Sequence, residues 1–256
     1  MPSAALEAAV DRVRVVFAGA SSPGEVGCSL CHPPEWTALL RAPDVPMPVE
    51  AVDLYAGEAS DHFDDFEASL RRLLPELTRQ LASGVSGTPG GYGGVQIVGY
   101  VDWGKRPDHE REAVLGFFEA WWLDTLRSPR PLYSVDDVFQ TCVTATRTLT
   151  PYLEAWSAQE PGGTADAHLR EFVDHHHLDL VNEDDHMIRW RVGFDRPEPM
   201  AEIVSWVREH VIERIRTQDT DTDTDTDADP DLLDRLELLR LPVEERWGIY
   251  EARFLA

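Results

Sequence analysis

The chain has 256 residues, 43% of them hydrophobic, with eight Trp and nine Phe. That is enough apolar mass for a packed core and too much for a disordered chain. Against 23 Lys plus Arg stand 47 Asp plus Glu, a formal net charge of -24. Charge of this sign repels phosphate backbones and anionic lipid surfaces, so the expectation is no nucleic acid and no membrane. What it favours is solubility and, among partners, a protein, with a basic one best matched.

The first 20 residues lack a basic leading segment, and Glu7, Asp11, Arg12 and Arg14 interrupt their apolar residues, a pattern unlike an export signal. No apolar run reaches the ~20 residues that span a bilayer. Three cysteines, an odd number, then read as reduced thiols in a cytoplasmic protein.

In chain order, Leu6, Val10, Val13, Val16 and Phe17 recur at helical spacing over 4–17. A turn-rich stretch with Gly19, Gly24 and Gly27 leads to Cys28 and Cys31. Pro33 and Pro34 suit the first turn of a short helix carrying Trp36, Leu39 and Leu40, and 49–55 reads as another. The strongest periodic run is 61–81, with Phe63, Phe66, Leu70, Leu73, Leu74, Leu77 and Leu81 on one stripe. Asp61 is its expected N-cap, and Pro75 is expected to kink or split it. Residues 83–94 hold six glycines and form a loop. They show no Gly-Lys-Ser/Thr phosphate cradle and no Gly-x-Gly-x-x-Gly frame. Val95 to Trp103 fits a short helix or a strand.

Residues 107–126 are apolar around most of a helix, through Val114, Phe117, Phe118, Trp121, Trp122 and Leu126, so this helix is expected at the centre of the core. Helices at 134–146, 151–157, 165–180 and 199–216 follow. Then comes the alternating Asp/Thr tract 217–231, read as a self-repelling acidic linker, and a helical pair at 232–241 and 243–254. An EF-hand loop starting at Asp225 fails, because Pro230 stands where the sharp turn needs glycine and Leu236 where the closing glutamate belongs. The predicted class is all-α, an irregular bundle or repeat-like array of roughly ten to twelve helices. The predicted organisation is a main domain over 1–216, a linker over 217–231 and a carboxy-terminal pair over 232–256.

Cys28-Ser-Leu-Cys31-His32 is the stretch richest in chemistry. Two thiols at i, i+3 in one turn reach a single ion, and zinc with its preference for thiolate and imidazole is the metal they suit. Cys28, Cys31 and His32 are the proposed metal ligands, and a tetrahedral site needs more. Candidates to complete it are His62, Cys142 or a histidine among 175–177. A pair packing a turn without metal and a redox dithiol are the competing readings. The same residues match a c-type haem attachment pattern, which the missing export signal opposes. A thioredoxin-like reading lacks its strand–helix context.

A second cluster, His168, Glu171, Asp174, His175, His176 and His177, precedes Glu183, Asp184, Asp185 and His186. The two carboxylate–histidine pairs lie too close in sequence for the separate helices of a di-iron bundle. His168, Glu171 and His175 share one helix face and make an incomplete mononuclear set. Cys142 sits among apolar neighbours, the setting of an inert thiol. No complete nucleophile–base constellation occurs, so no catalytic residue is assigned.

The span from Cys28 through Leu39-Leu40-Arg41-Ala42-Pro43, Tyr55, Asp64-Asp65-Phe66 and Leu73-Leu74-Pro75-Glu76-Leu77 resembles a family of bacterial helical proteins carrying an amino-terminal Cys-x-x-Cys motif. Ala201-Glu202-Ile203-Val204-Ser205-Trp206-Val207 fits the same pattern. The resemblance implies a helical fold and no particular activity. Three functions follow as expectations. The first is a non-enzymatic interaction or scaffold protein with an acidic surface. The second is a metal-dependent enzyme using Cys28, Cys31 and His32 or the 168–186 histidines. The third is an acidic inhibitor that masks a basic partner.

Overall fold

The computed structural model describes residues 2–87, 95–183, 199–221 and 231–255. These residues are all helical in their regular structure, with no strand among them. Among them no helix is long and apolar enough to cross a membrane. The chain divides into two compact units, Met1–Thr148 and Leu149–Ala256.

In the first unit, α1 (Ala4–Val16) starts at Ser3, whose hydroxyl caps Leu6 N–H, and packs on α6 and α4. α2 (Pro34–Arg41) opens on the proline that follows the cysteine turn, and α3 (Val49–Ala56) ends at Gly57. α4 (Phe66–Ser83) runs unbroken through Pro75. The lost backbone hydrogen bond is tolerated because Leu70, Leu73, Leu74, Leu77 and Leu81 are all buried along the same face. Asp65, not Asp61, is the N-cap, accepting from Ala68 N–H; Asp61 instead lies in a separate 3-10 turn, Ser60–His62. Gly84 closes α4 in the left-handed conformation.

The ambiguous segment after the glycine loop is helical, α5 (Gln96–Gly99). A Cβ at Gly99 would lie 2.6 Å from the Thr144 carbonyl, so only glycine lets α5 approach α7 (Val135–Thr146) this closely. α6 (Asp108–Arg127) is central in its unit, packing on α1 and α7 and burying Phe117, Phe118 and Trp122 completely. Trp122 lies 5.4 Å from Phe139 of α7, centroid to centroid.

In the second unit α8 (Thr150–Ser157) carries Trp156, fully buried against Phe172 of α9 (Thr164–Asn182) and Trp206 of α10 (Pro199–Trp206). A π-helical turn, Val207–Val211, joins α10 to α11 (Ile212–Asp221). Thr217 to Asp221, expected in the linker, therefore continue a helix, with Thr217 Oγ1 donating to Glu213 O. Residues 222–230 of that tract lie outside the described residues. α12 (Leu232–Glu237) and α13 (Val243–Tyr250) both pack against α9. Arg246 of α13 pairs with Glu183 at 2.7 Å and donates to the Leu239 and Leu241 carbonyls. The sequence places the main boundary at 216; the compact units divide at Thr148.

Truncating Trp122 to Ala removes a fully buried indole and should cost about 3–5 kcal/mol in denaturant unfolding. Leu30→Ala, at a side chain 95% exposed, should stay within about 0.5 kcal/mol. Tyr133 gives a pH test. Its hydroxyl accepts the Ser86 N–H at 3.1 Å. Burial, reinforced by the nearby Asp53 carboxylate, pushes its phenol up to about 12. Because the folded value lies above the unfolded one, this contribution is complete below pH ~10 and is lost as pH rises from there toward 12. Denaturation midpoints should fall across that window, less steeply in Tyr133→Phe.

Candidate metal centre

The cysteine loop is built around one buried carboxylate. Glu25 is 1% exposed and accepts from Gly27 N–H at 3.0 Å, Asp64 N–H at 3.0 Å, Asp65 N–H at 3.2 Å and the Ser69 hydroxyl at 2.7 Å. Three of these donors belong to the start of α4, where free backbone N–H groups and the helix dipole both favour an anion. In return, the Asp64 carboxylate accepts from Val26 N–H at 2.9 Å and Gly27 N–H at 3.1 Å, and these bonds hold its pKa below the ordinary carboxylate value. Arg41 Nε, at the end of α2, donates to the Glu25 carbonyl at 2.6 Å. The loop is thus tied to α2 and α4 before the cysteines begin.

From there a tight turn follows. Gly27 has φ +75°, and both Cys31 and His32 donate their N–H to the Cys28 carbonyl. The two sulfurs come within 3.0 Å of one another and share a hydrogen bond. That bond, together with backbone N–H groups of Leu30 and Cys31 aimed at the sulfur, lowers the Cys28 thiol; the same sharing pushes Cys31 up to about 11. Both side chains are half-buried, and Leu30 between them stands in solvent.

His62 comes to this turn from the 3-10 turn that precedes α4. The Cys28, Cys31 and His62 donor atoms all lie within 4.8 Å of one another. His62 Nδ1 is 2.5 Å from Oε2 of Glu58, which lies four residues earlier, just past the end of α3. When Nδ1–H is given to that carboxylate, Nε2 carries the lone pair, which is the carboxylate–histidine arrangement that orients an imidazole toward a metal. In a tetrahedral zinc site two thiolates stand about 3.8 Å apart. The sulfurs therefore reach that geometry by opening less than ~1 Å, and the residues present fit the ion.

His32, expected as the third ligand, is placed differently. It is 4% exposed and packs edge-on against Tyr55 at 4.9 Å and against Phe63 at 5.3 Å. Its Nδ1 accepts Cys28 N–H at 3.2 Å, which leaves the proton of the neutral ring on Nε2. Nε2 is buried without a hydrogen-bond partner, 3.9 Å from Glu58 Oε1. Burial pushes the His32 pKa down, against the pull of Glu58. His32 groups with Glu58 and His62 in a second set of donors, and its visible work is to hold the Cys28 backbone.

The remaining candidates lie elsewhere. Cys142 is fully buried in α7 with its sulfur 3.6 Å from the Phe118 carbonyl, and burial raises its pKa strongly. On α9, His168 and His176 are buried and Glu171 and His175 exposed; His176 rests on Phe172 at 4.9 Å, and His177 meets the Tyr250 hydroxyl at 3.1 Å. Among the described residues none of these joins a metal-capable group. Asp184, Asp185 and His186 lie outside the described residues. The sequence reading passed over Glu58, although Glu58-x-x-x-His62 spaces a carboxylate four residues from an imidazole. Glu25 carried no motif at all.

No protein-family model matches the chain, and neither a curated protein nor a solved structure shows significant similarity to it.

Gly27 supplies a test of the loop. A Cβ there would lie 2.9 Å from His32 Nδ1 and 3.0 Å from Thr37 Oγ1, in a conformation that itself costs an L-residue about 1–2 kcal/mol. Gly27→Ala should lower the unfolding free energy by at least that amount. Gly24→Ala, with nothing near its Cβ, should leave it almost unchanged. Equal effects of the two would show that the loop does not hold the cysteines as described.

Proposed function

We propose that this is an acidic, helical metal-binding protein whose first unit takes up one zinc ion through Cys28, Cys31 and His62. The observation that carries the reading is the convergence of those three donors within 4.8 Å, drawn from two segments more than thirty residues apart. Two thiolates and an imidazole select a borderline-soft ion such as zinc over magnesium or calcium. Bound there, the ion crosslinks the cysteine turn to the α3–α4 junction. Glu58 orients His62 in this reading, and His32 shapes the turn from behind.

The biological role we propose is interaction with a protein partner. The net charge of -24 supports a basic partner, steered electrostatically. A second reading, a metal-dependent enzyme, is favoured by one observation: with Glu58 committed to His62, three protein ligands leave a fourth position for water, the composition of catalytic zinc sites. Optical spectra of the cobalt-substituted protein separate the two. A spectrum that responds to added azide favours the open site, whereas indifference to azide favours a closed, structural one.

Full-length protein expressed in zinc-supplemented medium should carry one zinc per chain by elemental mass spectrometry. Cys28→Ser, Cys31→Ser and His62→Ala should each lose it. Glu58→Gln should retain the site with affinity weaker by about 10–100-fold, the usual effect of removing a carboxylate behind a ligand. Sub-stoichiometric metal in the native chain, or full occupancy in Cys28→Ser and His62→Ala alike, overturns the reading.

A further inference from the structure

We infer that the Cys28–Cys31 pair is a redox gate on this site: joining the two sulfurs as a disulfide expels the ion, and reduction restores the site. The inference rests on the zinc reading above and adds regulation to it. Its foundation is where the sulfurs stand. At 3.0 Å they lie between the two end states, about 2.05 Å in a disulfide and about 3.8 Å around zinc. Each is reached from the observed turn by a movement of about 1 Å or less. The turn is held from outside the pair, by Glu25 and Asp64 on the amino-terminal side and by Pro33 and Pro34 opening α2 on the other. Such a frame keeps the sulfurs adjacent whether or not an ion is present.

Access favours the same conclusion. Both cysteines are half-buried on a loop whose tip, Leu30, is 95% exposed, whereas Cys142 is sealed in the core. A small oxidant therefore reaches the pair and not the third thiol. The oxidant we name is a peroxide. One thiolate sulfur attacks a peroxide oxygen, the O–O bond breaks, and the departing hydroxide takes up a proton to leave as water. The resulting sulfenic acid is attacked by the second thiolate; the S–S bond forms, the S–O bond breaks, and a second hydroxide leaves as water with another proton. Two thiolates lose two electrons in all, and hydrogen peroxide with two protons becomes two waters. The ion keeps one of its three protein ligands, His62, and is released. A dithiol reductant reverses the change by thiol–disulfide exchange.

The test uses zinc-loaded full-length protein, hydrogen peroxide and a chromogenic zinc chelator. Release of the single zinc should coincide with loss of about 2 Da, two hydrogens, from the tryptic peptide 15–41, which contains Cys28 and Cys31 and no other cysteine. Dithiothreitol with added zinc should restore both mass and metal. In His62→Ala, which keeps both thiols, peroxide should still give the 2 Da loss. Zinc retained after peroxide treatment, or released without the change in peptide 15–41, overturns the gate while leaving the metal site intact. A native chain that carries no zinc before oxidation overturns both, and the elemental analysis distinguishes that case at the outset.

Discussion

A single carboxylate holds the candidate site together. Glu25 sits in the interior of the first unit, where an unpaired charge would be strongly unfavourable. It is stable there because four hydrogen bonds of 2.7–3.2 Å converge on it, two from Asp64 and Asp65 just ahead of α4, one from Ser69 near its start and one from its own loop. Charge-assisted bonds to oriented backbone donors are the strong kind. Asp64 answers from the other side by taking two N–H groups of the loop, so each segment supplies the anion that the other satisfies. Removing either carboxylate leaves donors facing nothing, and the distance between the cysteines and His62 is no longer determined.

This pairing also explains where α4 begins. A helix starting at Asp61 would have placed His62 within its first turn. Instead the Asp64 and Asp65 N–H groups point into Glu25, Asp65 caps, and Ser60–His62 fold into a separate 3-10 turn. That displacement gives His62 its position beside the sulfurs and brings it within hydrogen-bonding reach of Glu58. The chemistry of the site and the boundary of the helix are one event. The aromatic face of His32, Tyr55 and Phe63 beneath it supplies a rigid floor, so the donors are set against packed side chains and not against a mobile loop.

The second unit is stabilised in a related way by cations. Arg214 pairs with the buried Asp166 and donates to the Trp156, Ser157 and Gln159 carbonyls, tying the α8–α9 connection to α11. Arg246 does the same between α13 and Glu183. Planar guanidinium groups with several donors can satisfy a carboxylate and helix-end carbonyls at once. These clusters use up polar groups on packing, and His176 and His177 of α9 are spent likewise, His176 on Phe172 and Asp179 and His177 on Tyr250. The metal-capable donors among the described residues are gathered in the first unit.

Periodicity in the sequence determined the helical class, the position of most helices and the aromatic centre at Phe117, Phe118 and Trp122, because a 3.6-residue repeat of apolar side chains is a local property that packing only confirms. The Cys-x-x-Cys turn was equally legible, since two residues three apart are brought together by the turn itself. What only the tertiary structure decided is which side chains face that turn. His32 is adjacent in sequence, yet it is turned inward by the Cys28 N–H and the aromatic floor; His62 and Glu58 lie some thirty residues away and arrive through Glu25's hold on α4. The division at Thr148 belongs to the same category, because a continuous run of amphipathic helices carries no mark of which faces share a core. Long-range convergence of this kind depends on burial and on charge satisfied across segments, and neither is written in the spacing of residues along the chain.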